Sequence, residues 1–254
     1  MNYLGKSSFS ISRFFQNVIA SPKKSEADTF FLYWLCYVGF LVFVAFIMWH
    51  ANVWWVIIKS DPTGLTIMII FVFSFSTIWV GYRSLFFLRE RAILDEWIAS
   101  SELKNNNLIA PSGLKGFIND YFLSLLLKKK REDHERFHLT EILSERLNGV
   151  SDSAWWVNGI QIKLGLLGKV IGFSILAIQI SEIQNFDASQ SQNVLKTLTG
   201  GLGIALITTA VGLVANILLG VQLLKMDRCA DELLADTLSF AENDLDSYLE
   251  RKEL

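Results

Sequence analysis

Several polar side chains lie within long apolar stretches of this sequence, among them Lys169, Thr208, Thr209 and Asn216. An amine, hydroxyl or amide held away from water costs free energy unless it is paired or hydrogen-bonded. Hydroxyl and amide groups in such a position either hydrogen-bond a neighbouring helix, or line a water-containing pore or a partner's binding site. The residue types leave both interpretations open.

Small residues recur near these polar groups with helical spacing. Gly165, Gly168 and Gly172 are three and four residues apart, which places them along one side of a helix. A second stripe, with spacings of four, three and four, consists of Ala205, Thr209, Gly212 and Asn216. Lipid gives apolar helices no hydrophobic drive to associate, so close packing depends on small residues that let backbones approach. We therefore expect these glycines and alanine to be helix-packing residues, and both stripes to face protein.

Four apolar stretches are long enough to cross a bilayer, which requires about 20 mostly apolar residues in a helix. They cover residues 30–58, 65–88, 157–180 and 198–224. The third is the least apolar because it contains Lys163 and Lys169. With 52% hydrophobic residues and a mean hydropathy of +0.36, the sequence predicts an all-α integral membrane protein with four transmembrane helices.

No Asp or Glu lies within these four stretches, since Glu182 and Asp187 fall at or beyond the end of the third. A proton relay through a membrane needs a titratable group. This chain therefore cannot supply a carboxylate relay by itself.

Lys and Arg are concentrated in the N-terminal segment, in the loop between the second and third spans, and in the tail. Of the two remaining loops, one has only Lys59, and the stretch from Glu182 to Leu195 in the other has neither residue type. Because segments rich in Lys and Arg stay in the cytoplasm, both termini and the middle loop are predicted to be cytoplasmic. The predicted organisation is an amphipathic cytoplasmic segment at 1–29, two spans within 30–88, a helical cytoplasmic loop at 89–155, two spans within 156–225 and a helical cytoplasmic tail at 226–254.

Signals for enzymatic chemistry are weak. His134 and His138 are four residues apart, but no further ligand nearby completes a metal site. No glycine-rich phosphate loop is present, and the basic run at 128–131 leads into acidic residues, which is typical of a solvated helix face. We expect a protein that is not an enzyme, with no cofactor, no metal and no nucleic-acid partner.

Residues 164–173 (LGLLGKVIGF), followed by residues 203–216 (GIALITTAVGLVAN), resemble the MotA/TolQ/ExbB proton channel family. The resemblance covers roughly residues 155–225, and the first half of the chain matches only in layout. It implies a homopentamer in the bacterial inner membrane around a single-span MotB/ExbD/TolR-like partner, whose membrane aspartate carries the proton. Thr209 aligns with the family's threonine that faces this aspartate, and Thr208 and Asn216 are its neighbours.

Lys169 departs from the family pattern, which has threonine at this position. A lysine at membrane depth is costly unless it is paired, neutral or able to reach the interface. Three interpretations remain: Lys169 pairs with the partner's acid, it reaches the cytoplasmic interface, or it marks a member that does not conduct.

The resemblance and the lack of a membrane carboxylate favour the channel-forming subunit of an ion-driven membrane motor or energy transducer. The alternative is a non-conducting pentameric scaffold that presents its cytoplasmic region to another protein. A solute transporter is less favoured, because the spans lack the paired helix breaks and inverted repeats of such carriers.

Overall fold

The computed structural model describes residues 26–61, 63–102, 115–127, 133–181 and 188–245. Every element in these ranges is helical: α1 (Glu26–His50), α2 (Val53–Ser60), α3 (Leu65–Glu102), α4 (Phe117–Leu127), α5 (Asp133–Ser181), α6 (Ala188–Phe240) and a final π-helical turn (Ala241–Leu245). Most of the predicted segment at 1–29, the run at 128–131 and the acidic pair at 182 and 187 lie outside the described residues.

Four of the described helices are long and apolar enough to cross a membrane, over Thr29–His50, Leu65–Ser100, Phe137–Ser181 and Leu198–Asn243. This confirms the prediction of four helices capable of spanning a bilayer. The last three stretches are 36, 45 and 46 residues long, whereas about 20 residues suffice to span the hydrocarbon core. Helices α3, α5 and α6 therefore continue well beyond the apolar layer.

The first apolar stretch differs from its prediction, because it is not one helix through residue 58. Helix α1 ends at His50, and Asn52 adopts a left-handed conformation with φ of 55° before α2 begins. Asparagine tolerates this conformation better than most residues. The turn brings the Trp54 indole N–H within 3.1 Å of the Ala45 carbonyl oxygen, so α2 folds back toward α1.

Asp61 organises the turn between α2 and α3. Its carboxylate accepts hydrogen bonds from the backbone N–H of Thr66 at 2.6 Å and from that of Thr63 at 3.0 Å. Burial opposes ionisation of this group, but the hydrogen bonds from Thr63 and Thr66 outweigh it and lower the pKa of Asp61 below its ordinary value. The ionised side chain therefore caps the start of α3.

The membrane-crossing parts form a bundle in which α5 and α6 make the most extensive contact and α3 packs on α6. Long-range hydrogen bonds join helix α1 to this bundle. The Trp34 indole donates to the Thr77 carbonyl oxygen at 3.1 Å, and the Tyr37 hydroxyl donates to the Leu218 carbonyl oxygen at 2.9 Å. Much of the rest of α1 exposes large apolar side chains, as expected for a helix that faces lipid.

Beyond the apolar layer, the helices continue to pack on one another in a region that we call the extension (residues 89–102, 117–127, 133–154 and 225–245). The side chains of Trp97, Phe122 and Leu233 are buried at its centre. Glu90, which is 2% exposed, accepts hydrogen bonds from the backbone N–H groups of Phe117 at 3.2 Å and Ile118 at 3.0 Å. These two N–H groups belong to the unpaired start of α4, so Glu90 fixes α4 to α3.

Candidate ion pathway and partner-binding site

Glycines bring the backbones of α5 and α6 into direct contact. A Cβ atom on Gly212 would lie 2.8 Å from the Gln161 carbonyl oxygen, and one on Gly172 would lie 2.9 Å from the Ala205 backbone nitrogen. A Cβ on Gly165 would meet the Thr208 carbonyl oxygen at 3.1 Å. The two small-residue stripes therefore pack on each other within one chain, and a single methyl group does not fit between the helices at Gly212.

Thr208 lies inside this contact. Its side chain is 0% exposed, and a Cβ atom on Gly168 would come within 2.6 Å of the Thr208 Cβ. The structure thus surrounds Thr208 with its own chain. The sequence analysis grouped Thr208 with Thr209, but the two hydroxyls have different surroundings.

Thr209 lies at the margin of the α5–α6 contact and is half-buried. Its hydroxyl is 2.8 Å from the Ala205 carbonyl oxygen and 3.1 Å from the Gly165 carbonyl oxygen, and it donates toward these acceptors. A hydroxyl has one proton to donate and two lone pairs that can accept. Thr209 can therefore accept a hydrogen bond from a protonated carboxyl group or a water molecule at its open side.

Asn216 lies farther along α6 and joins the same two helices. Its side-chain N–H donates to the Asn158 carbonyl oxygen at 2.9 Å. Asn216 is half-buried, and this hydrogen bond gives it a structural partner within the chain.

Lys169 is exposed on α5. Viewed down the axis of α5, the direction of Gly165 is rotated by about 60° from that of Gly168. The side chain of Lys169 is rotated by about 100° from Gly168 in the same sense. Thr208 packs against Gly168 and Thr209 against Gly165. Lys169 and Thr209 are therefore on the same side of the α5–α6 contact.

Residues 118–237 match the family described as the MotA/TolQ/ExbB proton channel family. This part of the chain, just under half of its length, is similar to that family. Comparisons with curated proteins and with solved structures gave no match. The match confirms the resemblance and supports a membrane ion-channel type of function.

The MotA/TolQ/ExbB match is wider than the sequence motifs, since it begins in α4 and ends in the extension of α6. It therefore contains the close α5–α6 contact, all the predicted site residues and most of the extension. Helices α1, α2 and α3 lie outside it.

The sequence analysis missed further polar residues within the bundle. Gln161 is 0% exposed, and neither atom of its side-chain amide has a hydrogen-bond partner among the residues that the structure describes. Gln222, on α6, donates to the Thr77 hydroxyl at 3.2 Å. Asn158, on α5, is buried as well. A signal for Asn158 and Gln161 was present, because they continue the spacing of three and four residues set by the glycines of α5.

The described residues include no group of three or more His, Cys, Asp or Glu side chains arranged to hold a metal ion. His138 is exposed, and its ring nitrogen lies 3.6 Å from a Glu141 carboxylate oxygen on the same helix. This pair is part of the solvated surface of α5.

Proposed function

We propose that this chain is the channel-forming subunit of a proton-driven membrane motor or energy transducer. Several copies, five by analogy with the family, would surround a single-span MotB/ExbD/TolR-like partner in the bacterial inner membrane. The observation that carries the proposal is the family match over residues 118–237. The position of Thr209 at the margin of the α5–α6 contact supports it.

The ion is expected to pass outside the single chain. Close backbone contact at Gly212 and Gly172 leaves no room for a file of water between α5 and α6. A pathway must therefore run along the outer surface of these helices, between this chain and another molecule. This supports an assembly in which α5 and α6 face a shared axis.

The partner is expected to supply the proton carrier, because the four spans of this chain contain no Asp or Glu. Thr209 would accept a hydrogen bond from the partner's acid when that acid is protonated. Release of the proton would remove the O–H donor of the acid and leave a negative charge on its carboxylate. The protonated and ionised forms of the partner would therefore make different contacts with α5 and α6. A cycle of protonation can in this way shift the partner relative to α5 and α6.

The extension is continuous with the membrane helices, and we place it in the cytoplasm. Asp227 of α6 accepts a hydrogen bond from the Trp155 indole at 2.8 Å and another from the Ser151 hydroxyl, both on α5. Arg91 of α3 forms an ion pair with Asp236 of α6. Each ion that crosses 100 mV releases about 2.3 kcal/mol, so several ions per cycle can drive a movement conveyed by these continuous helices.

The test is proton flux in vesicles that contain the chain together with its partner. We choose the partner as a short protein with one N-terminal span and a membrane Asp, encoded by a neighbouring reading frame. Thr209→Val removes the hydroxyl while keeping the shape, and we expect it to reduce flux at least tenfold, as loss of a transition-state hydrogen bond does elsewhere. Thr209→Ser should retain most of the flux.

Particle images of the purified complex provide the second measurement. The proposal expects several copies around a central helix that lies against α5 and α6. A monomer, or an assembly in which Thr209 contacts only lipid, contradicts it.

The alternative is a non-conducting scaffold with the same assembly, and one observation favours it. Lys169 places an amine on the side of α5 that borders Thr209, where its charged form would repel protons and other cations unless it is compensated. Absence of flux in vesicles that contain an intact complex with its partner would favour the scaffold.

A further inference from the structure

Lys169 lies near the centre of the third membrane-spanning stretch. It is about 12 residues from each end of the stretch at 157–180, which is roughly 18 Å of helix. This distance is much greater than the length of a lysine side chain, so the amine cannot reach either interface of a bilayer with a core of about 30 Å. For an upright α5 this depth favours the other two interpretations over the interfacial one.

An amine that remains protonated at this depth needs an anion beside it. The chain itself offers none, because no Asp or Glu lies in any of its four spans. A second copy of the same chain has the same spans and lacks an acid at this depth as well. Lipid phosphates are confined to the interfaces. The counter-charge must come from a membrane helix of a different protein.

The surface around Lys169 suits a helix of this kind. Phe173 and Leu166 are exposed on the same side of α5, one turn above and just under one turn below the lysine. Thr209 borders the same side across the contact with α6. An apolar helix can pack against these side chains and bring one carboxylate to Lys169, with Thr209 nearby to accept a hydrogen bond when the acid is protonated.

We propose that Lys169 forms an ion pair with a carboxylate on a transmembrane helix of a different protein, docked along the α5–α6 contact on the side of Thr209. The inference rests on the proposed function for the identity of that helix as the ion-carrying partner. The ammonium group donates charge-assisted hydrogen bonds to the carboxylate. In the docked state the acid is ionised, because the ammonium group beside it favours the charged carboxylate.

The experiment measures binding of synthetic helices to the full-length chain in phosphatidylcholine vesicles by energy transfer between fluorophores. The probes are Leu/Ala peptides of about 22 residues, a length that spans the bilayer, with a single central Asp, Asn or Lys. We expect the Asp peptide to bind the unaltered chain at least about tenfold more tightly than the Asn peptide, because an ion pair is strong where the dielectric constant is low.

Variants at Lys169 test whether its charge causes the preference for the Asp peptide. Lys169→Met should abolish the preference for the Asp peptide, and Lys169→Arg should keep it. Lys169→Glu should reverse it, so that the Lys peptide binds more tightly. This gain of binding cannot be produced by a variant that has failed to fold.

Lys163 offers a matched control, because it is also exposed on α5 but points about 120° away from Lys169 and lies nearer the end of the span. Lys163→Met should leave the preference for the Asp peptide unchanged. Equal binding of Asp and Asn peptides to the unaltered chain, or an equal loss with Lys163→Met and Lys169→Met, would overturn the inference.

Failure of this inference and failure of the proposed function are distinguishable. If binding ignores the peptide charge while proton flux with the natural partner still depends on Thr209, only the ion pair is wrong. If the purified assembly has no central helix and no flux, the proposed function is wrong, whatever the peptides show.

Discussion

Single glycines determine how close α5 and α6 come to each other. At Gly212 the neighbouring atom is a backbone oxygen of Gln161, which cannot move aside without shifting a whole helix. At Gly168 the neighbour is the buried side chain of Thr208. Dispersion contacts between closely packed backbones stabilise membrane helices where the hydrophobic effect does not. The same closeness confines Thr209 to the margin of the contact.

Replacing Gly212 by alanine tests this contact directly. We expect Gly212→Ala to destabilise the protein by about 1–3 kcal/mol, because the added methyl group must push α5 and α6 apart. The measurement is thermal unfolding of the detergent-solubilised protein. Gly203→Ala on the same helix is the control, since a Cβ atom there meets nothing within 4 Å, and alanine favours a helix over glycine. Equal destabilisation by both changes would show that the contact is looser than described.

At the scale of helices, α4 depends on one side chain of α3. Glu90 is the acceptor for two N–H groups at the start of α4, and the Trp97 indole donates to the Asn119 side-chain oxygen at 3.1 Å. The rings of Trp97 and Phe122 are 5.2 Å apart between centroids. These contacts hold a short helix that would be marginal alone.

We expect Glu90→Gln to loosen α4. The amide keeps one acceptor oxygen but places its NH₂ group against a backbone N–H, which leaves a buried donor unpaired and costs about 1–3 kcal/mol. Hydrogen exchange of the amides of Phe117–Leu127 should therefore become faster, by about tenfold or more. Glu96→Gln, at an exposed position of α3, should leave the hydrogen exchange of α4 unchanged. Unaltered protection in Glu90→Gln would mean that the apolar contacts alone fix α4.

The turn before α3 gives a pH-dependent prediction. The pKa of Asp61 is lowered in the folded protein, so its stabilising effect is present above the ordinary value of 3.8 and is lost as the pH falls through the lower folded value. Asp61→Ala should cost about 1 kcal/mol at neutral pH, as loss of a helix cap does. In thermal unfolding, the difference between this variant and the unaltered chain should shrink below pH 4. A difference that is constant with pH would exclude the ionised cap.

The sequence predicted some of these elements and not others, for physical reasons. The number of membrane-spanning helices could be predicted, because the length of an apolar stretch, such as the one around Phe43, can be read from a single sequence. The break at Asn52 was missed, since one left-handed residue does not change hydropathy. The anchoring of α4 was missed because Glu90 and Ile118 are 28 residues apart, and such a contact depends on tertiary packing. The small-residue stripes were recognised, but spacing alone did not show that they pack on each other.

On the scale of the whole molecule, the single chain leaves two different kinds of apolar surface. Helix α1 exposes large side chains such as Phe43 and Phe46, and α5 and α6 expose others such as Val170 and Ile217. In a bilayer both surfaces are compatible with lipid. The proposed assembly distinguishes them, because the bulky face of α1 would contact lipid and the faces of α5 and α6 would be covered by neighbouring subunits and the partner.

Oxygen accessibility of spin labels can separate these surfaces. Phe43 and Val170 are 59% and 62% exposed in the single chain, so a monomer would give both sites similar contact with lipid-dissolved oxygen. In the assembly, we expect a label at Phe43→Cys to remain accessible and a label at Val170→Cys to be several-fold less accessible, because protein packing excludes oxygen-bearing lipid. The labels require a background with Cys36→Ala and Cys229→Ala, which removes both native cysteines. Equal accessibility of the two labels in vesicles with the partner present would mean that α5 faces lipid. This result would contradict the proposed assembly around a shared axis.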